Sequence, residues 1–261
     1  MTQRLAIVAC AVLAALTTGG PAAAEKLVTS ISRHQVLVNS SFTGTSIVLF
    51  GTVEPDSPGA RRRATGYDFV VNVSGPKQSI VERRKERVVG IWTNMVSRTF
   101  VDVPSYLSVL SSQPFSQFTS ADTVRRLPLG IENMMLRQQA SASNGDIGRD
   151  DVFRANFIRL KKQHQLYLEK ANGVTLLTPT VFRAEITLPA EAPIGVYEVD
   201  VKVFAEGTMI VRGNSAFEIV KIGFEQFVAN AAQDYGLLYG LATAMMAFMT
   251  GWIASVVFRR D

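Results

Sequence analysis

The nine residues VYEVDVKVF, Val196–Phe204, alternate between apolar and charged side chains. A period of two sends successive side chains to opposite faces of a β-strand, so this segment is predicted to be a strand with one buried face. Thr180–Leu188 alternates in the same way, and Glu206-Gly207 predicts a tight turn into a further strand. One-sided alternation is typical of an antiparallel sheet with one solvated face, which predicts a β-sandwich.

Further β-rich runs lie on either side of this pair of strands. They are rich in β-branched and aromatic residues, and clusters of proline and glycine separate several of them, as in short strands joined by turns. The runs are Val36–Val38, Ile47–Phe50, Tyr67–Val73 and Val88–Trp92 towards the N-terminus, and Thr208–Val211 and Phe217–Ile219 towards the C-terminus.

The middle of the chain has a helical period, which predicts a helical insertion at about residues 104–172. Pro104 and Pro128 suit the first turns of two helices, and Asp150 or Asp151 suits the N-cap of a third. The apolar faces of the three predicted helices contain Tyr106, Leu107 and Leu110, then Ile131, Met134 and Met135, and finally Phe153, Phe157, Leu160, His164 and Tyr167.

The C-terminal region predicts one transmembrane helix. Gly236–Phe258 contains no charged residue and, at about 1.5 Å per residue, extends roughly 34 Å as a helix, enough to cross a bilayer. Residues 223–235 have apolar side chains at helical spacing and predict an amphipathic juxtamembrane helix. Arg259 and Arg260 lie in the tail 259–261, and the positive-inside rule favours a cytoplasmic location for that tail.

Small residues form a stripe along the predicted transmembrane helix. Side chains of this size let two helices approach closely, which suggests self-association or packing against another membrane protein. The alternative is that small residues are simply common in membrane spans. The stripe consists of Gly236, Gly240, Ala244, Ala247, Gly251 and Ser255.

The N-terminus predicts export. Residues 1–24 combine a positive start, an apolar stretch and an A-x-A motif at Ala22–Ala24, as in a cleaved signal peptide; an uncleaved anchor is the alternative. With the C-terminal helix, this predicts a single-pass protein of the cell inner membrane, with a body at residues 25–222 in the periplasm. The only cysteine, Cys10, lies in the signal peptide, so the body is expected to contain neither a disulfide nor a thiol nucleophile.

Basic residues are clustered in a chain whose formal net charge is +5. Export argues against nucleic acid as a partner. The clusters are interpreted either as solvated loops between strands or as contacts with anionic headgroups, an acidic partner or a small anion. They consist of Arg61, Arg62 and Arg63, and of Arg83, Arg84, Lys85 and Arg87.

No motif indicates catalysis, a cofactor or a bound metal. The two histidines, His34 and His164, have no metal-binding spacing, and a histidine on an apolar stripe is usually a packing residue. Asn144–Asp151 places oxygen ligands at alternate positions, as calcium loops do, but Ala155 stands where the bidentate glutamate belongs. We therefore interpret this segment as a polar turn with a helix cap, and expect no cofactor, no metal and no enzyme activity.

Two resemblances extend these predictions. Pro193–Val201 is similar to the turn that feeds a long strand in immunoglobulin-like domains, so the expected fold is a mainly β, immunoglobulin-like antiparallel sandwich with a helical insertion and one C-terminal transmembrane helix. Gly90–Asn94, Asp102–Leu107 and Arg126–Gly130 resemble a family of transmembrane proteins from alphaproteobacteria. That resemblance implies an inner-membrane protein with a periplasmic body, and it implies no catalytic or binding residue.

Three hypotheses for function follow. The first is a non-enzymatic interaction or accessory module of an envelope or transport assembly, whose partners are the membrane and another membrane or periplasmic protein, or a second copy of the chain. The second is a periplasmic sensor or binding protein for a small anionic ligand, which would use the basic clusters. The third is an envelope enzyme.

Overall fold

The computed structural model describes residues 25–55, 66–139, 144–146, 148, 151–223, 228 and 232–258. The predicted signal peptide, Arg61–Arg63, the tail 259–261 and much of the predicted juxtamembrane helix lie outside these residues. The strands are β1 (Glu25–Ile31), β2 (Gln35–Val38), β3 (Gly44–Pro55), β4 (Asp68–Ser74), β5 (Lys77–Val88), β6 (Ile91–Pro104), β7 (Leu107–Ser111), β8 (Arg137–Gln139), β9 (Asn144–Asp146), β10 (Tyr167–Lys170), β11 (Val174–Leu176), β12 (Val181–Pro189), β13 (Gly195–Ala205) and β14 (Thr208–Lys221). The α-helices are α1 (Phe115–Phe118), α2 (Ala121–Arg126), α3 (Val152–Gln163) and α4 (Gly236–Val257).

Two sheets pack face to face around a first core. The first sheet is antiparallel with the order β1-β3-β12-β11, and the second has the order β10-β7-β4-β13-β14-β2, with parallel pairs at both edges. Phe69 of β4 and Phe182 of β12 are fully buried, and their ring centroids lie 4.4 Å apart. The predicted mainly β sandwich is therefore confirmed.

The start of β13 is fixed by a tyrosine. The Tyr197 hydroxyl donates to the carbonyl oxygen of Pro193 at 2.7 Å, and the Tyr197 ring stacks on Phe217. Gly195 has φ +132°, a backbone conformation that residues with a Cβ rarely adopt. A tyrosine that bonds back to the preceding loop is the tyrosine corner of β-sandwiches, and here it sets the register of the central strand.

A second core covers the other face of the second sheet. It joins Val70 and Phe204 of that sheet to Phe100 of β6 and Phe157 of α3, and Phe100 meets Phe157 edge-on at 5.5 Å between ring centroids. The strand β6 belongs to a third, antiparallel sheet with the order β5-β6-β8-β9. The second sheet is thus the middle layer of the body.

This extra layer corrects the prediction of one solvated face. Lys202, which the alternation places on the wet side of β13, is only 6% exposed, and its ammonium group pairs with Asp200. All residues from Val201 to Ala205 are buried. The prediction is right for the first part of β13 and wrong for its end, where both faces are covered.

Two of the three predicted helices are wrong. The segment after Pro104 forms β7, which is buried at every position, and the segment after Pro128 forms a 3₁₀ turn at Ile131–Asn133 followed by β8. A strand covered on both faces has no period of two, so its apolar run can be mistaken for a helix. The third helix is confirmed as α3, although Tyr167 lies beyond it in β10.

The helix α4 has no buried residue, and at about 1.5 Å per residue its 22 residues extend roughly 33 Å. The predicted C-terminal apolar helix is confirmed, since both its length and its composition suit a membrane span.

Candidate functional site

The hairpin formed by β5 and β6 departs most clearly from the packed body. Its base is anchored: the Ser105 amide donates to the carbonyl oxygen of Pro76 at 2.9 Å, and the Tyr167 hydroxyl donates to that of Pro104 at 2.7 Å. Phe100 and Val103 of β6 are fully buried in the second core. The inner part of the hairpin is therefore part of the folded body.

The N-terminus of α3 supports the middle of the hairpin. The guanidinium carbon of Arg98 lies 4.6 Å from the Phe153 ring centroid, and Arg98 pairs with the Asp151 carboxylate. Asp151 also accepts a hydrogen bond from the Phe153 amide at 2.8 Å, so one side chain caps α3 and binds the hairpin. The guanidinium carbon of Arg84 lies over the same ring at 5.9 Å.

From this level, where Arg84 and Arg98 contact the N-terminus of α3, the hairpin continues to its turn, and we call residues 83–98 the outer ribbon. The strand β5 is an edge strand, and β6 pairs with β8 only at Phe100 and Val101, so within the described residues no third strand lies beside the outer ribbon. A two-stranded ribbon without a covering layer is only marginally stable. Apolar side chains on the outer ribbon therefore add little to the core.

The turn of the hairpin contains an unusual residue. Val89 and Gly90 have φ +48° and +84°, the left-handed conformation that hairpin turns usually fill with Asn-Gly. A β-branched residue is strained there, by roughly 1–2 kcal/mol. Val89 is 96% exposed, so packing does not offset this strain. With Ile91 and Trp92, which are 68% and 66% exposed, it forms what we call the apolar tip.

The predicted basic cluster lies directly behind the apolar tip. Side chains at alternate positions of a strand share a face, so Arg83, Lys85 and Arg87 lie on one face of β5, opposite to the face on which Arg84 meets α3. The Arg87 Nε donates to the carbonyl oxygen of Gly90 at 3.4 Å, which ties this side chain to the turn. The outer ribbon contains five basic residues and one acidic residue, hence a formal charge of +4.

An open cleft of about 530 Å³ lies between the hairpin and the C-terminal half of α3. Burial, reinforced by the Asp151 carboxylate and opposed by Arg98, raises the pKa of Glu82 in this cleft to about 7. One carboxylate oxygen of Glu82 is buried without a hydrogen-bond partner. Glu82 therefore titrates near neutral pH. In the same cleft, burial lowers the pKa of Lys161, whose ammonium group donates to the Ser105 carbonyl oxygen at 3.2 Å.

The other polar residues singled out in the sequence have structural partners or lie apart. The His164 Nδ1 lies 2.9 Å from the Glu191 carboxylate in an exposed pair, and His34 lies between β1 and β2. The helix cap predicted at the end of the calcium-like segment is confirmed at Asp151. Among the residues that the structure describes, no group of three or more His, Cys, Asp and Glu side chains is placed to hold a metal ion.

The small residues of α4 lie on one side of the helix. At about 100° per residue, Gly236, Gly240, Ala244, Ala247, Gly251 and Ser255 occupy a sector of roughly 100°. A methyl group placed on Gly236, Gly240 or Gly251 would meet no atom within 4 Å. The Thr243 and Thr250 hydroxyls donate to carbonyl oxygens of their own helix, at 2.9 and 2.7 Å. Arg259 and Arg260 lie outside the described residues.

Sequence reasoning found the basic residues of the outer ribbon and missed the apolar tip. It predicted Val88–Trp92 to be a strand, which is wrong, because this segment contains the turn between β5 and β6. The available signal was Gly90 with apolar runs on both sides, and Val89 obscured it because valine is rarely a turn residue.

Comparison with known protein families gives a match that covers most of the chain. Residues 26–260 match the family described as "Putative transmembrane protein (Alph_Pro_TM)". The chain belongs to this family. Curated proteins and solved structures gave no match. Family membership and the exposed apolar helix α4 together support membrane association.

Proposed function

We propose that this chain is a single-pass inner-membrane protein whose periplasmic body is a non-enzymatic interaction module, acting as an accessory subunit of an envelope or transport assembly. The observation that carries the proposal is the asymmetry of α4, an exposed helix with a face of small residues and a face of large ones. The large residues opposite the stripe are Leu238, Met245, Met249, Ile253 and Val256.

Small residues favour helix association in lipid because they let backbones come close, whereas bulky residues on the opposite face suit contact with acyl chains. No other part of the described chain packs against the stripe. A second transmembrane helix, from a partner protein or from a second copy, is the ligand that fits this face.

The body supports an interaction role because its larger clefts are open and mixed in charge. In the cleft of about 590 Å³ on β13 and β14, Asp200 pairs with Arg212 at 2.6 Å and with Lys202. Glu198 also lines this cleft, so two carboxylates balance the two cations, which leaves little net field for a small anion. On the outer ribbon, Arg84 lies on the face opposite to Arg83 and Lys85, so these basic groups do not converge on one point.

Site-specific photo-crosslinking in intact cells tests the proposal. A photoreactive residue at Ala247, on the small face, is expected to capture one discrete partner, and the same residue at Met249, on the large face, is expected to capture none. The double substitution Gly240→Leu and Gly251→Leu should abolish the product by blocking close approach.

The control is Ala242→Leu, which adds bulk to the opposite face and should leave the product from Ala247 intact. Equal capture from both faces, or survival of the product in the Gly240→Leu, Gly251→Leu variant, would contradict the proposal. Thermal stabilisation of the full chain by phosphate or sulfate would instead favour the small-anion hypothesis.

A further inference from the structure

The apolar tip and the face behind it that carries Arg83, Lys85 and Arg87, which we call the basic face, form a surface that the fold does not use. Val89, Ile91 and Trp92 are each more than half exposed at the end of a ribbon without a covering layer. Exposed apolar groups that cluster in this way generally mark a contact with a protein or a membrane. Val89 is also held in a strained conformation, and strain that packing does not explain is typical of functional positions.

We propose that the outer ribbon docks end-on into an anionic bilayer surface, with the apolar tip among the upper acyl chains and the basic face at the lipid phosphates. The inference goes beyond the proposed function, because it concerns the body and not the partner of α4. The helix α4 is long and apolar enough to cross a bilayer, so a lipid surface lies close to the body whenever α4 is inserted.

The order of side chains along the ribbon matches the layers of a membrane surface. The aliphatic Val89 and Ile91 come first, then Trp92 and its strand partner Arg87 at the level of the headgroup boundary, and then Lys85 and Arg83 at rising distance from the tip. Each step of two residues adds roughly 7 Å along a strand. A protein interface usually has a ring of polar residues around its aromatic anchors. The side chains of this ribbon instead change from apolar to basic with increasing distance from the hairpin turn.

Charge and backbone chemistry set the depth of docking. The three basic side chains on the face away from α3, Arg83, Lys85 and Arg87, complement anionic headgroups. Both edges of the ribbon lack a neighbouring strand in the described residues, and unpaired peptide groups cannot enter the hydrocarbon interior. Insertion is therefore limited to the turn, at a depth of roughly 5–10 Å.

Trp92 provides a direct reporter. The sequence contains two tryptophans, so the full chain carrying Trp252→Phe has Trp92 as its single tryptophan. This protein is reconstituted, one chain per nanodisc, in phosphatidylglycerol-rich or purely phosphatidylcholine lipid. Brominated acyl chains are placed either in its own disc or in vesicles added from outside, so that docking to either bilayer is detected.

We expect Trp92 emission to shift to shorter wavelength and its intensity to fall at least about twofold when brominated phosphatidylglycerol is present in one of the two bilayers. The loss of intensity should be larger when the bromine atoms lie near the headgroups than when they lie deep in the acyl chains. High salt should reverse the change. Replacing Arg83→Gln and Lys85→Gln should shift the docking equilibrium by roughly tenfold or more towards the undocked state. The control Arg33→Gln with Lys170→Gln removes the same charge from exposed positions elsewhere and should have little effect.

The substitution Val89→Asn separates docking from folding. Asparagine suits the left-handed turn position, so the hairpin should stay folded while the apolar tip loses its leading side chain, and quenching of Trp92 should fall severalfold. Unquenched, solvent-exposed Trp92 emission in every disc and vesicle would overturn the inference. So would equal quenching in phosphatidylcholine at high salt, or an emission shift that depends on protein concentration instead of lipid, which would indicate contact between copies. None of these results bears on crosslinking from Ala247, so the two proposals fail separately.

Discussion

The sandwich and the outer ribbon are built from similar residues and use them in opposite ways. In the sandwich, Phe69, Val71 and Phe182 are completely buried, and strand partners satisfy the backbone on both sides. In the outer ribbon, valine, isoleucine and tryptophan lie in solvent on two strands without a core. Apolar composition alone therefore does not show whether a strand belongs to the core, because the elements packed against the strand decide whether its side chains are buried.

The same substitution in the two regions should have opposite effects. Val71→Asn removes apolar burial and places an amide in the first core, and we expect it to lower the free energy of unfolding by roughly 3–5 kcal/mol. Val89→Asn relieves a strained turn and should raise it by up to about 1 kcal/mol. Urea denaturation of the full chain in detergent micelles measures both values. Loss of stability in the Val89→Asn variant would mean that the tip belongs to the core after all.

The junction between the two regions should show an intermediate effect. Asp151→Ala removes the cap of α3 and the partner of Arg98, and we expect a loss of about 1–2 kcal/mol in the free energy of unfolding. The control is Asp122→Ala, which removes an exposed pair with Arg125 and a first-turn carboxylate of α2 but no helix cap, and it should cost less than about 1 kcal/mol. Equal losses in the two variants would show that Asp151 does not support the hairpin.

The smallest expected effect concerns pH. Because the folded-state pKa of Glu82 is about 7 and its ordinary value is 4.5, the folded chain holds a proton on Glu82 in that interval that the unfolded chain has released. Stability from this group is thus present below about pH 4.5 and is lost as the pH rises to about 7. Solvent screening of the partly exposed carboxylate limits the change to about 1–3 °C in Tm.

Thermal unfolding of Glu82→Gln at pH 5 and pH 7.5 checks this effect, since the variant should lack the decline seen in the wild type. Glu185→Gln, at an exposed position of β12, is the matched control and should keep the wild-type decline. An unchanged pH dependence in Glu82→Gln would contradict the assignment of the raised pKa to this residue.

The predictions from sequence are right where the local signals of a segment all indicate the same element. The strands β12 and β13 alternate because one face meets the first core, and α3 carries both a cap and an apolar face, so these elements were predictable. The strand β7 reads as a helix in the sequence because two cores cover it, which erases the period of two. The end of β13, including Lys202, differs from its prediction for the same reason.

The candidate site was only half predictable. A run of basic residues is visible in any sequence, so Arg83, Lys85 and Arg87 were found. The apolar tip depends on the position of the hairpin turn and on the absence of a covering strand in the described residues. The identities of Val89 and Ile91 predict neither of these features. The stripe on α4 was predictable because an isolated membrane helix keeps its periodicity.

Hydrogen exchange of the full chain in nanodiscs tests the contrast between the two regions in one sample. Amides of β4 and β13 should exchange only through global unfolding, in anionic and in zwitterionic lipid alike. Amides around Val89 and Ile91 should exchange rapidly in zwitterionic discs and slow down severalfold when anionic lipid is present. Exchange of the tip that is as slow as that of β4 in both lipids would contradict the account, because it would place the outer ribbon within the folded core.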